Sequence, residues 1–141
     1  MQYTKTCDTI KKKVGGNQML EIRRCEKCGA VVKVLQDCTC ENCGIQCCGD
    51  TMKEVIPNVV ECVVEKHIPV YEKRGDTIFV KVNHVMEEKH YIQWISMVYD
   101  NIEIVKKLNP GEEPVAEFPY VKGATVYEYC NIHGLWKTEV E

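Results

Sequence analysis

The sequence predicts an all-β protein in two parts: a small metal-stapled front followed by an antiparallel β-sandwich. Two observations predict it. Seven of the ten cysteines lie between Cys25 and Cys48, whereas none of the four histidines precedes His67. Beyond Pro57 the chain runs in short β-branched and aromatic stretches with turn signals about every 8–12 residues, and no good amphipathic helix interrupts them.

A chain of 141 residues and 16.2 kDa has room for one medium domain plus a small stapled one. With 45% hydrophobic and 28% charged residues it has the composition of an ordinary folded, soluble protein. The net charge of −3 and pI near 5.8 argue against a general nucleic-acid or anionic-membrane binder, which needs a basic surplus. No apolar stretch approaches the roughly 18 residues that span a bilayer. The opening MQYTKTCDTIKKKVGG has no apolar segment of the kind a secretory signal carries. The chain is therefore expected in the cytoplasm, where thiols at this density read as metal ligands rather than structural disulfides.

Residues 1–21 form a polar, lysine-bearing tail with a Gly15-Gly16 break, expected to be weakly structured, and Cys7 within it receives no role. Residues 22–56 are the cysteine-rich front. Cys25-Glu-Lys-Cys28-Gly29 is followed by a short strand pattern over 30–35, then Asp37-Cys-Thr-Cys-Glu-Asn-Cys43-Gly, then Cys47-Cys48-Gly49. Glycine after each pair suits a turn that aims backbone N–H groups at a metal-bound sulfur. So short a segment buries too little core by itself, and a metal supplies the missing stability.

Residues 57–141 read as strands. Val60, Cys62, Val64, Lys66 and Ile68 share one face of a run over 59–70, which makes Cys62 a small buried hydrophobe. Further strands are expected over 77–82, 90–99, 102–105, 115–120, 124–130 and 135–140, with Leu108-Asn-Pro-Gly111 as a turn. The stretch around 86–89 has room for a helical turn, though nothing requires one. Trp94 and Trp136 read as core or site-shielding residues.

Every histidine falls at a strand end or loop. His67 ends a run, His84 and His90 bracket Val-Met-Glu-Glu-Lys, and Cys130-Asn-Ile-His133-Gly pairs a thiol with an imidazole. Taken singly, each is a scattered surface or core histidine. Together, strand ends let side chains distant in sequence meet at one metal. Four imidazoles and one thiolate exceed the four ligands of structural zinc and suit iron or copper, leaving one octahedral position open. A ferrous ion with one thiolate carries a local charge of about +1, which favours a small anion there.

Glu65-Lys66-His67-Ile68-Pro69, His84-Val-Met-Glu-Glu-Lys-His90-Tyr-Ile-Gln-Trp94 and Cys130-Asn-Ile-His133-Gly-Leu-Trp136 closely resemble the active-site motifs of superoxide reductases. The front, with Cys25-x-x-Cys28-Gly and Cys47-Cys48-Gly, resembles the desulforedoxin-like part of the two-domain desulfoferrodoxins. The resemblance runs from about Ile22 to the C-terminus. It implies a seven-stranded immunoglobulin-like sandwich behind a desulforedoxin/rubredoxin-like iron domain. It implies a catalytic iron with His67, His84, His90 and His133 in a plane and Cys130 axial. The implied reaction is one-electron reduction of superoxide to hydrogen peroxide without oxygen release, with rubredoxin as electron donor and a homodimer as the assembly. An axial thiolate pushes electron density toward the open position, favouring release of peroxide over O–O cleavage. Glu65 resembles the carboxylate that fills the sixth position of the oxidised iron, and Lys66 the cation that attracts the anion. As an isolated pair, Glu65 and Lys66 would read as a solvated surface ion pair.

Two departures stand out. Val85 replaces the family's usual proline after the second histidine. Cys38, Cys40 and Cys43 are extra to the four thiols, Cys25, Cys28, Cys47 and Cys48, that a tetrahedral iron needs. One iron on those four is the first choice, an Fe–S cluster recruiting loop thiols the rival, and zinc the third. A colourless zinc-ribbon-like interaction module and a pure electron-transfer protein are the alternative functions. Colour separates the first from an iron enzyme, and hydrogen peroxide formation without matching oxygen release separates the second.

Overall fold

A computed structural model describes residues 20–58 and 67–141, among which twelve β-strands are found. In the front, β1 (Ile22–Arg24) lies between β2 (Val31–Lys33) and β5 (Lys53–Glu54), both antiparallel to it. A second ribbon pairs β3 (Gln46–Cys47) with β4 (Asp50–Thr51). These strands are two or three residues long, and the front buries little beyond Leu20, Ile22, Cys25, Val34 and Met52.

The back consists of two antiparallel sheets. β6 (Val70–Arg74), β7 (Thr77–Lys81) and β10 (Val115–Pro119) make a three-stranded sheet in the order β10-β7-β6. β8 (Ile92–Tyr99), β9 (Ile102–Lys107), β11 (Thr125–Cys130) and β12 (Gly134–Glu139) make a four-stranded sheet in the order β12-β11-β8-β9. Alternation decides what turns inward. Ile78 and Val80 of β7 and Ala116 and Phe118 of β10 meet Ile92, Ile95 and Met97 of β8 and Val126 of β11 in one core. Gly75, at φ 63°, makes the two-residue turn joining Arg74 to Thr77, a backbone position where a side chain would be strained. The sandwich expected from the sequence is therefore present, with seven strands among the described residues.

One feature has no precedent in the strand pattern. β11 is buried at every residue, so it is covered on both faces. The outer cover comes from the front: Leu20 and Ile22, with half-buried Val31 and Val55, pack against Val98, Tyr127, Tyr129 and Leu135. Each large aliphatic side chain buried there contributes about 1.5–3 kcal/mol. Polar contacts fix the docking. The Leu20 N–H donates to Tyr127 Oη (3.3 Å), Arg24 Nη2 donates to the Asn131 carbonyl (3.3 Å), and Lys33 pairs with Glu103.

Differences from the sequence reading are local. The expected strand over 59–70 falls mostly on residues 59–66, outside the described residues, as do Cys7 and Cys62. β6 continues to Arg74, where no strand was expected. β8 begins at Ile92 rather than His90, because His90 is held in a reciprocal backbone pair with Glu87 (Glu87 N to His90 O 3.0 Å, His90 N to Glu87 O 3.1 Å). That pair occupies the place where a helical turn had been allowed. Among the described residues no helix is long and apolar enough to cross a membrane.

Candidate metal centres

Five side chains converge at one end of the sandwich. His67 precedes β6, His84 follows β7, His90 precedes β8, Cys130 ends β11, and His133 sits in the turn before β12. One ligand atom from each lies within 4.8 Å of those of the others. The imidazoles form a closed ring in the order His67, His84, His90, His133, with centroid separations of 4.6, 4.5, 5.0 and 4.8 Å around its edges. Its four edges are nearly equal, and with the ligand atoms all within 4.8 Å of one another the ring can offer four imidazole donors to one ion. Cys130 Sγ lies 3.6 Å from His84 Nε2 and 3.7 Å from His133 Nδ1, close to the donor atoms of two of its corners.

Local structure explains how these groups are aimed. The β8–β11 register slips between Tyr129 and Cys130, pairing Tyr129 with Trp94 but Cys130 with Ile92. Such a bulge bends the strand and re-aims the side chain beside it. Gly134, at φ 83°, then reverses the chain so tightly that the His133 N–H reaches Cys130 Sγ at 3.4 Å. Asn131 ties this turn to the His90 loop: its Oδ1 accepts the Tyr91 N–H (3.0 Å) and its Nδ2 donates to the Lys89 carbonyl (2.9 Å). His84 Nδ1 donates to the Val85 carbonyl at 2.5 Å, leaving Nε2 as the ring's lone-pair nitrogen.

Two residues missing from the sequence reading complete the surroundings. Glu128, fully buried on the inner face of β11, brings Oε1 to 3.4 Å from His67 Nδ1. Burial pushes its carboxyl up to about 9. The signal was available, since a carboxylate interrupts Thr-Val-Tyr-Glu-Tyr-Cys two residues before the site thiol, but only strand register turns it toward His67. Asn131 is the other, and its loop contact, 40 residues distant in sequence, left no local trace. Trp136, expected as core or shield, stacks on His67 with centroids 5.1 Å apart.

The donor set fits a cation. His90 Nε2 is buried and has no hydrogen-bond partner among the described residues, a costly arrangement unless something positive binds it. Burial, and next His90, lower the affinity of His133 for a proton, keeping its imidazole neutral. Burial raises the Cys130 thiol, so a nearby cation is what would hold it as thiolate. Outside the ring, a solvent-facing pocket of about 580 Å³ is lined by His67, Asn83, His84, Val85, Glu87, His90 and His133. Glu65 and Lys66 lie outside the described residues.

In the front, Cys25, Cys28, Cys47 and Cys48 bring their sulfurs within 4.8 Å of one another. Cys28 and Cys47 are 3.6 Å apart and Cys47 and Cys48 3.8 Å. Metal–sulfur bonds of about 2.3 Å give a tetrahedral edge of roughly 3.8 Å, so the spacing fits four thiolates around one ion. The Cys28 backbone N–H pulls the Cys25 thiol down to about 7. Hydrogen bonding of its S–H to the sulfurs of Cys28, Cys25 and Cys48 pushes Cys47 up to about 12. The Cys25 thiolate forms readily, whereas Cys47 and Cys48 would need a cation to hold theirs.

Cys38, Cys40 and Cys43 make a third, separate group. Here the expectation that the thiols avoid disulfides meets an exception, because Cys40 and Cys43 are bonded to each other. The two-residue Glu-Asn spacer folds through Asn42 at φ 58° and brings their Cα atoms to 5.9 Å, within disulfide reach.

Residues 60–139 match the family model of desulfoferrodoxin. The chain is 44% identical to a desulfoferrodoxin of Syntrophotalea carbinolica over 86% of its length and 98% of that relative. It is 42% identical to a desulfoferrodoxin of Nitratidesulfovibrio vulgaris over 84% of its length and 95% of the relative. Among solved structures, the superoxide reductase of Treponema pallidum superimposes with a TM-score of 0.64 at 25% identity, over 89% of this chain and all of that one.

Proposed function

The chain belongs to the desulfoferrodoxin family, and from that premise we infer that it is a superoxide reductase, converting superoxide to hydrogen peroxide without releasing oxygen. The observation that carries this reading is the closed ring of four imidazoles joined by the buried Cys130 thiol. His67, His84, His90, His133 and Cys130 would hold the iron, which would supply the single electron that superoxide takes.

The chain's own residues do the rest. Neutral imidazoles and one thiolate leave a ferrous centre with a net charge of about +1, so the pocket beside it favours a small anion. That pocket also admits the water that delivers two protons for each peroxide formed. Lys66, adjoining His67 in sequence, draws the anion in against the protein's negative balance. Glu65, beside Lys66 in sequence, would offer its carboxylate as a further oxygen donor to the oxidised iron. Asn131 holds the backbone of the His90 loop against the Cys130 turn, and Glu128 faces the outer nitrogen of His67.

Residues 22–56 are read as a desulforedoxin-like domain holding one iron on Cys25, Cys28, Cys47 and Cys48, after a tail of residues 1–21 and before a catalytic domain of residues 57–141. The sulfur spacing and the separateness of the loop thiols support the mononuclear assignment. The electron donor in this reading is rubredoxin, the assembly a homodimer, and the compartment the cytoplasm. The test is an anaerobic pulse of superoxide onto reduced, iron-loaded protein. One hydrogen peroxide per superoxide, with no oxygen, is expected; one oxygen for each peroxide would mean dismutation and overturn the assignment.

A further inference from the structure

The loop between β2 and β3 carries three exposed cysteines that neither metal centre uses. Two of their three sulfur pairs are closer than a shared metal permits. Thiolates bridged by one ion sit roughly 3.8 Å apart, as the front sulfurs do at 3.6–3.8 Å. In the loop, Cys40 and Cys43 are covalently joined, and Cys38 Sγ is only 3.0 Å from Cys43 Sγ. We propose that Cys38, Cys40 and Cys43 are a reversible thiol–disulfide unit, separate from both metal centres, that exchanges two electrons with dithiols and disulfides.

The loop is anchored at both ends, which keeps the third thiol at the bond. Asp37 accepts the Cys38 N–H (2.8 Å) and pairs with Arg23 of β1 (3.2 Å). At the other end, Gly44 lies so close to β4 that an added Cβ would meet Thr51 Cγ2 at 2.7 Å. Cys38, as thiolate, attacks Cys43 Sγ: the Cys38–Cys43 bond forms, the Cys40–Cys43 bond breaks, and Cys40 leaves as a thiolate with the electron pair. No net oxidation occurs in that step, and it shifts the exposed thiol from Cys38 to Cys40. An external dithiol completes the cycle. One of its thiolates opens the loop disulfide, its second thiol closes the reagent's own disulfide, and the loop keeps two electrons and two protons. An oxidised reagent drives the same exchange backwards.

The test uses the full iron-loaded chain, equilibrated anaerobically against mixtures of reduced and oxidised dithiothreitol, quenched in acid and alkylated. Mass spectrometry with residue-level assignment should find all three of Cys38, Cys40 and Cys43 alkylated under reducing conditions and one of them under oxidising conditions. Between them, a tenfold change in reagent ratio should change the oxidised-to-reduced ratio of the loop tenfold, as a two-electron couple requires. Cys40→Ser should capture the other partner as a Cys38–Cys43 disulfide while front iron stays at about one per chain. Three alkyl groups at every reagent ratio would overturn the proposal. So would failure of all three thiols to react in a parallel reduced sample alkylated at neutral pH without the acid quench, since the loop would then be a metal site. Loss of front iron in Cys40→Ser would equally refute its separateness.

Discussion

Replacing Glu128 by Gln is expected to stabilise the metal-free protein at neutral pH while weakening its hold on iron. Glu128 is fully buried, and burial raises its carboxyl from 4.5 to about 9. A carboxyl raised in the folded state holds its proton there more tightly than in the unfolded chain. Its contribution is intact below pH 4.5 and is lost as pH rises toward 9, the opposite of a salt-bridged carboxylate. At pH 7 the loss spans 2.5 units at about 1.4 kcal/mol each, or about 3 kcal/mol. Glutamine keeps the shape and cannot ionise, so this slope should vanish. The measurement is urea unfolding of both metal-free proteins from pH 5 to 8, followed by tryptophan fluorescence. The sandwich core of Ile78, Val80, Ile95, Met97 and Phe118 takes in Cys130 alone among the five ligands, so the chain should unfold cooperatively without metal. The Gln variant should gain on the parent as pH rises, and parallel profiles would refute the burial argument. In the loaded protein the same change removes the carboxylate facing His67 at 3.4 Å, and iron affinity by chelator competition should fall about 10–100-fold. An unchanged affinity would make Glu128 a buried acid with no part in orienting the imidazole.

Cys130→Ser should abolish superoxide reduction and leave the fold intact, since a hydroxyl fits the thiol's place; circular dichroism with a stopped-flow assay checks both, and activity at the parent rate would remove Cys130 from the ligand set. Lys66→Met should lower the second-order rate with superoxide and flatten its ionic-strength dependence, because a steering charge acts before any bond forms. Glu65→Ala should leave capture nearly intact and change the visible spectrum of the oxidised iron; reversed outcomes would exchange the two roles. Cys28→Ser should strip the front metal and spare superoxide reduction, because Cys28 lies outside the His/Cys ring; a parallel loss of activity, read with iron counted per chain, would show that the two centres depend on each other.

The five-residue constellation of His67, His84, His90, Cys130 and His133 was legible in the sequence because ligand chemistry fixes residue type. Strand-end spacing is also a local property that side-chain alternation preserves. The sandwich strands were legible for the same reason: Ile78 and Val80 on β7, and Ala116 and Phe118 on β10, alternate with exposed or half-buried neighbours. Long-range pairing was not legible. The bulge at Tyr129 and Cys130, the turn of Glu128 toward His67 and the Asn131 tie to the His90 loop all depend on which strand lies beside β11 and in what register. The front's docking over Tyr127 and Tyr129 depends on it too, and that docking is why β11 has no exposed face to betray its alternation. Residue type and strand-end position, both readable from the chain, name the atoms that could bind iron. Only tertiary structure decided how closely they approach, which groups stand behind them, and that Cys38 meets a disulfide rather than a metal, because those are distances between segments that local pattern does not encode.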